Sequence, residues 1–408
     1  MNIMNILFGI ITLTVIIGLS YIISEDKKAI KWRTVIAGLL GQFVLIFFVI
    51  KVPIGQKILE ALAIGVNNII QMGMEGVTFV FGELTSGPMI FAISVLSLIV
   101  FTSALISVLY FLKVIPFFVK IIGTAVAKYM GTGKVETFST VGNAFLSGTE
   151  APLLIKPYIS KLTKSELFAV MCGGFKTNGA LIKDSKFETH ISGAILAGYS
   201  MMGVDMKYLL IAVFTVPFSC LMISKLFIPE TEESQVADGE IVESEHDNIF
   251  SAIGEGATVG KDLAISVGAM LIAFVGLVAV INGILSMFGT NLNELLGLIL
   301  SPIGYLLHIP NHEIQAFSSL IGIKTAVNEF SAYSSMMEIA NTLSPRTVVI
   351  LSVILCNFAN FSVIGIQIGG FSIIAPERKD EVAKMGLKAL LVGLFATLTT
   401  GAIVGMFF

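Results

Sequence analysis

Charged residues are scarce in this chain of 408 residues, at 13% of the total. A water-soluble domain carries about 25% to cover its surface. The shortfall excludes a soluble enzyme or binding module, because much of the outer surface must face something other than water. An excess of basic charge is missing too. With 25 Lys and Arg against 28 Asp and Glu, the formal net charge is −3, so no broad basic surface exists to neutralise nucleic-acid phosphates. Cysteine is rare. Cys172, Cys220 and Cys356 sit inside apolar runs with no CxxC or Cys/His spacing, and read as small buried hydrophobes. The remaining metal-type ligands are no richer, since His190, His246, His308 and His312 form no ligand set. GxSxG, P-loop and GxGxxG motifs are all absent, which leaves hydrolysis and nucleotide-driven pumping without support.

What the chain has in abundance is apolar sequence, 55% of all residues, with a mean hydropathy of +0.91. Apolar runs lie near 3–23, 34–52, 88–112, 207–228, 263–286, 346–370 and 383–408. Each is close to the ~20 residues a helix needs to cross the hydrocarbon of a bilayer. The first has neither a basic leader nor an Ala-x-Ala-like cleavage site, so it reads as a retained span. Residues 54–80 mix Gln56, Lys57, Glu60 and two Asn with apolar residues, the pattern of an interfacial helix. Residues 230–247 are acidic and polar and form a solvated loop that divides the chain into halves. Lys27, Lys28, Lys31 and Arg33 follow the first span, and Arg378, Lys379, Lys384 and Lys388 precede the last. Both loops therefore read as cytoplasmic.

Two stretches, 136–165 and 312–343, are apolar enough to enter the membrane yet carry Glu, Thr, Asn and small residues near their middles. A helix that enters, turns at a polar tip and returns fits both. Irregular backbone at membrane depth is tolerated only where it is buried in protein or lines a wet cavity. One such hairpin in each half points to an inverted-repeat transporter with its site at the midplane. The first tip holds Asn143, Ser147, Gly148, Thr149 and Glu150, and the second holds Lys324, Thr325, Asn328 and Glu329. A charge at the bilayer centre costs at least about 2.5–3.5 kcal/mol, so Glu150 and Glu329 call for a role. Accepting hydrogen bonds from substrate hydroxyls is one; pairing with a lysine or capping a broken helix is the other. Asn357, Phe358, Asn360 and Ser362 interrupt a further apolar span and suggest an unwound helix, although an Asn also serves helix packing. Finally, 168–175 and 191–204 are each too short to span, and the segment between them carries Lys176, Lys183, Asp184, Lys186, Glu188 and His190. Five formal charges against lipid would cost on the order of 12–17 kcal/mol, so this is a broken helix whose polar loop lies in water or a cavity.

These clusters carry a resemblance. The segments GTEAPLLIKPYISKLTKSELFAVMCGGF, SGAILAGYSMMG, VGAMLIAFVGLVAVING, KTAVNEFSAYS and CNFANFSVIGIQIGG followed by APER are similar to bacterial concentrative nucleoside transporters over nearly the whole chain. The resemblance implies an all-α polytopic membrane protein of about eight transmembrane helices, two re-entrant hairpins and interfacial helices. It also implies an elevator-type homotrimer in the bacterial cytoplasmic membrane. A scaffold would comprise 1–115 and 248–306, a transport part 116–229 and 307–408, with the loop 230–247 between. By the same resemblance, Glu150, Glu329 and Asn360 hold the ribose hydroxyls. Gly148 and Thr149 stand beside the base, and Phe358, Ile195 and Val363 line the pocket. Asn143 matches the side-chain ligand of a coupling sodium ion, joined by the Leu146 carbonyl and by Ile191, with Thr177, Thr189 or His190 as alternatives.

Three departures from the family pattern stand out. Gly148 replaces a Gln that contacts the base, Val363 replaces a small hydroxyl residue near the sugar, and the polar loop 176–190 interrupts the fourth helix where a Ser/Thr sodium ligand is placed. The expectation is a sodium symporter importing nucleosides or nucleoside-like solutes with altered base selectivity and no cofactor beyond the ion. Its partners would be the lipid bilayer and two further copies of itself. Proton coupling through His190 or Glu188, uncoupled carriage of a modified nucleoside, and a non-transporting nucleoside receptor are the alternatives.

Overall fold

The computed structural model describes residues 3–87, 90–146, 151–176, 192–236, 241, 247–357 and 359–408, and among them there is no strand. The helices are α1 (Ile3–Ile23), α2 (Trp32–Lys51), α3 (Pro53–Phe81), α4 (Ser97–Phe111, entered through a wide turn at Ala92–Leu96), α5 (Val114–Met130) and α6 (Lys134–Gly142). After a tight helical stretch at Ala151–Lys161 come α7 (Lys164–Lys176), α8 (Ser192–Met201), α9 (Met206–Phe214), α10 (Val216–Phe227), α11 (Ile249–Ser286) and α12 (Leu292–Leu306). The chain ends with α13 (Ile314–Ala326), α14 (Glu329–Ile339), α15 (Pro345–Leu355), α16 (Phe361–Ile374) and α17 (Lys379–Gly405).

Among the described residues, five helical segments are long and apolar enough to cross a membrane: α1, α2, Ala92–Phe111, α11 and Pro376–Gly405. A sixth is α9 with α10, bent by 42°. The sequence reads 207–228 as one run; the bend comes from Pro217 in the first turn of α10. Proline has no N–H for the carbonyl one turn earlier and its ring crowds that carbonyl. The apolar run at 263–286 is the second part of a longer helix, α11. Asn248 caps it by accepting from the Ser251 N–H at 2.9 Å, so the helix begins at Ile249 and runs for 38 residues.

Burial separates the spans. The apolar window of α11 is 13% buried, whereas that of Pro376–Gly405 is 72% buried. The first therefore leaves most of its apolar side chains uncovered by the rest of the chain, and α17 is the post around which α1, α7, α10, α15 and α16 pack. On its other side α11 lies directly against α4. A methyl group at Gly256 would meet Ala104 Cα at 2.8 Å, and one at Gly260 would meet Val100 Cα at 2.6 Å. This small-xxx-small spacing lets two backbones touch in a solvent where apolar burial gives no net drive.

The order hairpin, broken span, span occurs twice. It runs α6 and 151–161, then α7 and α8, then α9 with α10; and again α13 and α14, then α15 and α16, then α17. Each hairpin is pinned where it starts. Glu136, in the first turn of α6, accepts from the Gly133 N–H at 2.8 Å and lies 2.6 Å from the Lys225 ammonium of α10. Lys225 also donates to Ser165 at the start of α7, 3.0 Å. In the second repeat Glu313 accepts from the Ser344 N–H and hydroxyl, at 2.8 and 3.0 Å. Arg346 donates to the carbonyls of Leu307, His308 and Gly405 at 2.9–3.1 Å. Arg346→Leu is expected to lower the unfolding temperature of the detergent-solubilised protein. It leaves three carbonyls without their charged donor, at about 1–3 kcal/mol for each one kept from water, and an unshifted melting curve would refute this role.

The segment after α1 meets the starts of α7 and α17 through one carboxylate. Glu25, after α1, accepts from Lys164 at the start of α7 and Lys388 in α17, both at 2.6 Å. Partial burial alone would raise the Glu25 carboxyl, but the hydrogen bonds and charges of the two lysines outweigh it and hold it below the usual carboxylate range.

Candidate substrate and cation site

Two helix breaks meet in the interior. α13 stops at Ala326, and Asn328 turns extended and caps α14, its side chain accepting from the Ser331 N–H at 2.9 Å. α15 stops at Leu355, and Asn360 caps α16 in the same way, accepting from the Val363 N–H at 3.2 Å. Asn is favoured at both places because its short amide replaces the missing first-turn acceptor. Glu329 is therefore the first residue of α14, and its carboxylate accepts from the Asn360 amide at 3.3 Å. Both residues are buried, at 2% exposure each. The N-termini of two half-helices thus converge near one carboxylate, and their positive dipole ends favour negative charge there.

Lys324, fully buried in the last turn of α13, donates to the Ile354 carbonyl at 3.0 Å. That carbonyl belongs to the final turn of α15, where intrahelical donors have run out. The ammonium thus ties the second hairpin to the break in α15 and α16, and its charge also interacts with Glu329. Behind Glu329 stands an aromatic group. Tyr199 of α8 lies 4.6 Å from Tyr333 and 4.9 Å from Phe330 between ring centres, and Tyr333 donates to the Ser352 carbonyl at 2.7 Å. Ile195 is buried one turn before Tyr199, and Val363 is buried in the first turn of α16. Asn357 takes the packing role open to it, donating to the Gly393 carbonyl of α17 at 2.9 Å.

The first hairpin contributes Asn143 at the end of α6, fully buried, with its amide donating to the Ser139 carbonyl at 3.0 Å. Leu146, also buried, closes the following turn through its N–H to the Gly142 carbonyl at 2.7 Å. Gly148, Thr149, Glu150, Phe358 and Ile191 lie outside the described residues, as do Thr177, Thr189, His190 and Glu188. The structure therefore joins Glu329 to Asn360, places Val363 beside them, and sets Ile195 on the helix that carries Tyr199. Sequence reasoning missed Tyr199, the Lys324 link to Ile354, and Gln367 in α16. A Gln within the apolar run SVIGIQIGG was the available signal for the last.

Described residues that are helical with spanning helices, in which a hairpin and a broken span bring two capped polar ends together inside the protein, fit the architecture of a secondary transporter with its site at helix breaks. The comparisons specify which. Models of the Na+ dependent nucleoside transporter N-terminus and C-terminus match residues 11–84 and 208–405, and a nucleoside recognition gate matches 92–206. Nucleoside permease NupC of Helicobacter pylori is 37% identical, with 98% of this chain and 97% of the permease covered. An uncharacterized transporter of Bacillus subtilis, YutK, is 39% identical over 99% of this chain and all of that protein. The solved structure of CNTnw in an inward-facing substrate-bound state superimposes with a TM-score of 0.93, at 38% identity, over 100% of this chain and 98% of that one. The chain belongs to the Na+-dependent nucleoside transporter family. Its relatives are transporters, not enzymes, and no cofactor beyond the coupling ion is indicated.

Proposed function

We propose that this chain imports a nucleoside by sodium symport across a bacterial cytoplasmic membrane, reading the sugar closely and the base loosely. The observation that carries this is the buried Glu329–Asn360 pair between two helix N-termini. A carboxylate accepts two hydrogen bonds from a vicinal diol, and an amide adds a donor and an acceptor. Glu150, Thr149 and Phe358 would complete the pocket from the first hairpin tip and the break. At the base end Gly148 offers no side-chain amide, and near the sugar the buried Val363 offers no hydroxyl. Asn143 and the Leu146 carbonyl would hold the sodium ion, a hard cation suited to amide and carbonyl oxygens exposed at helix ends. In this reading the two repeats travel as one body, α5 to α10 with α13 to α17, past a scaffold made by the remaining helices. The exposed apolar face of α11 would serve a trimer.

The test is uptake of labelled uridine into proteoliposomes with and without an inward sodium gradient. Sodium-driven accumulation is expected. In competition, 2′,3′-dideoxyuridine is expected to bind about 100-fold or more weakly, since it forfeits charge-assisted hydrogen bonds of about 1.5–3 kcal/mol each. Exchanging the base should cost less than about tenfold. Strong discrimination among bases would overturn the loose base reading, and absence of accumulation from well-folded protein would overturn the symport reading.

A further inference from the structure

The turn from α1 into α2 carries Lys27, Lys28 and Lys31, with Arg33 in the first turn of α2. Its two acidic side chains are already engaged. Glu25 accepts from Lys164 and Lys388, and Asp26 turns its carboxylate to the N–H groups of Lys28 and Ala29, at 2.9 and 3.3 Å. Arg33 donates to the Lys128 carbonyl at 3.0 Å and Thr34 to the Met130 carbonyl at 2.9 Å. The start of α2 is thereby fixed against the end of α5. Lys27, Lys28 and Lys31 are exposed, and among the described residues none of them forms an ion pair. The same corner is aromatic. Trp32, the single tryptophan of the chain, stacks on Tyr21 with ring centres 6.2 Å apart, and Lys27 Nζ stands 5.6 Å from the centre of the Tyr21 ring. Trp32 is 49% exposed and Tyr21 38%. From Trp32 the exposed side chains of Ile36, Leu40, Phe43 and Phe47 follow at steps of four, four, three and four residues, which is one face of a helix. An apolar lane about 22 Å long thus ends in two rings of the type that sits at headgroup level, and beyond the rings come the ammonium groups. That order of apolar, amphipathic and cationic surface is complementary to one lipid molecule with an anionic headgroup.

We propose that this corner is a docking site for an anionic phospholipid, its phosphate held by Lys27, Lys28 and Lys31 and an acyl chain laid along the α2 stripe below Trp32. The site stands apart from the sugar and cation site and does not depend on the transport reading. Lysine suits the role, because its long apolar stem lies along the lipid surface while the ammonium reaches the headgroup.

The single tryptophan makes the test direct. The purified full chain is reconstituted in phosphatidylcholine vesicles, part of whose lipid is replaced by phosphatidylglycerol brominated high on its acyl chains. A matched series carries the same fraction of brominated phosphatidylcholine, and quenching of Trp32 fluorescence is compared. Wild type is expected to prefer phosphatidylglycerol by about tenfold, and about 1 M NaCl should bring that preference close to unity. Lys27→Gln, Lys28→Gln and Lys31→Gln combined should quench equally with either lipid, whereas the three Lys→Arg exchanges should keep the preference. Inorganic phosphate added to wild type in phosphatidylcholine should leave the emission unchanged. Equal quenching by both lipids in wild type would overturn the proposal, as would a preference that persists in the triple Gln variant. If that variant does not fold, the salt series decides, since a preference untouched by NaCl would equally overturn it. Protection of Trp32 from both brominated lipids would overturn it in favour of a face covered by a second copy, and a response to inorganic phosphate in favour of a soluble anion.

Discussion

Glu329→Gln is expected to abolish sodium-driven nucleoside accumulation while leaving the fold intact, with uptake falling by about 10²–10⁴-fold. The exchange is isosteric, so packing around the first turn of α14 is kept. The Asn360 amide can still donate to the remaining carbonyl oxygen, which it approaches at 3.3 Å in the native protein. The Gln nitrogen then points where the sugar hydroxyls arrive, offering a donor where the diol needs acceptors. Two charge-assisted hydrogen bonds are lost, each worth about 1.5–3 kcal/mol, and 1.4 kcal/mol is about a factor of ten. The favourable field of the two helix N-termini loses its anion as well. The measurement is counterflow in proteoliposomes beside a melting curve. Near-native counterflow in the Gln variant would remove Glu329 from the sugar site. Collapse of the melting curve would instead make it a structural carboxylate.

Lys225→Met is expected to be the most destabilising single change at the base of the first hairpin, by about 3–5 kcal/mol. Lys225 and Glu136 are 9% and 2% exposed and 2.6 Å apart. Removing the ammonium strands a carboxylate where water cannot reach it, and takes the donor from Ser165 and from Glu230, 3.4 Å away. Removing both charges is a different case. Glu136→Gln combined with Lys225→Met keeps the Gly133 N–H satisfied by the amide oxygen, and should recover most of the loss, because paired buried charges are often no better than neutral packing. The comparison of single and double variants isolates the coupling. A double variant as unstable as Lys225→Met would show that the lysine acts through Ser165 and Glu230 instead. With Glu136 on α6, Ser165 on α7 and Lys225 on α10, the lesion should also free the first hairpin from its neighbours, and proteolysis at its base would report that.

Much of this was legible in the residues. Apolar runs of about twenty with almost no charge have few folds open to them in a bilayer, because every backbone polar group must be satisfied within the segment. That constraint is local, so the apolar spans and the broken character of the residues around Asn357 and Asn360 can be read from composition along the chain. The polar break between α13 and α14 was legible for the same reason: a Glu, an Asn and a Thr in an apolar stretch are too costly to place by accident. Boundaries followed less well. The start of α11 depended on the Asn248 cap and on glycines fitting α4, and the bend before α10 on what Pro217 does to a carbonyl one turn away.

The sequence by itself determined that the chain is a membrane transporter of the nucleoside family and which residue types must gather at its site. Tertiary structure alone decided their partners. Lys324 stands five residues before Glu329, yet its hydrogen bond goes to Ile354, thirty residues on, because α13 ends between them. Glu329 meets Asn360 across a similar distance in the chain, and Gln367 meets Gly174 across a far greater one. Periodicity and residue cost are properties of a segment and its solvent. Which helix end faces which is fixed only when two repeats pack around α17, since the hydrogen bonds that settle it join residues with no local relation at all.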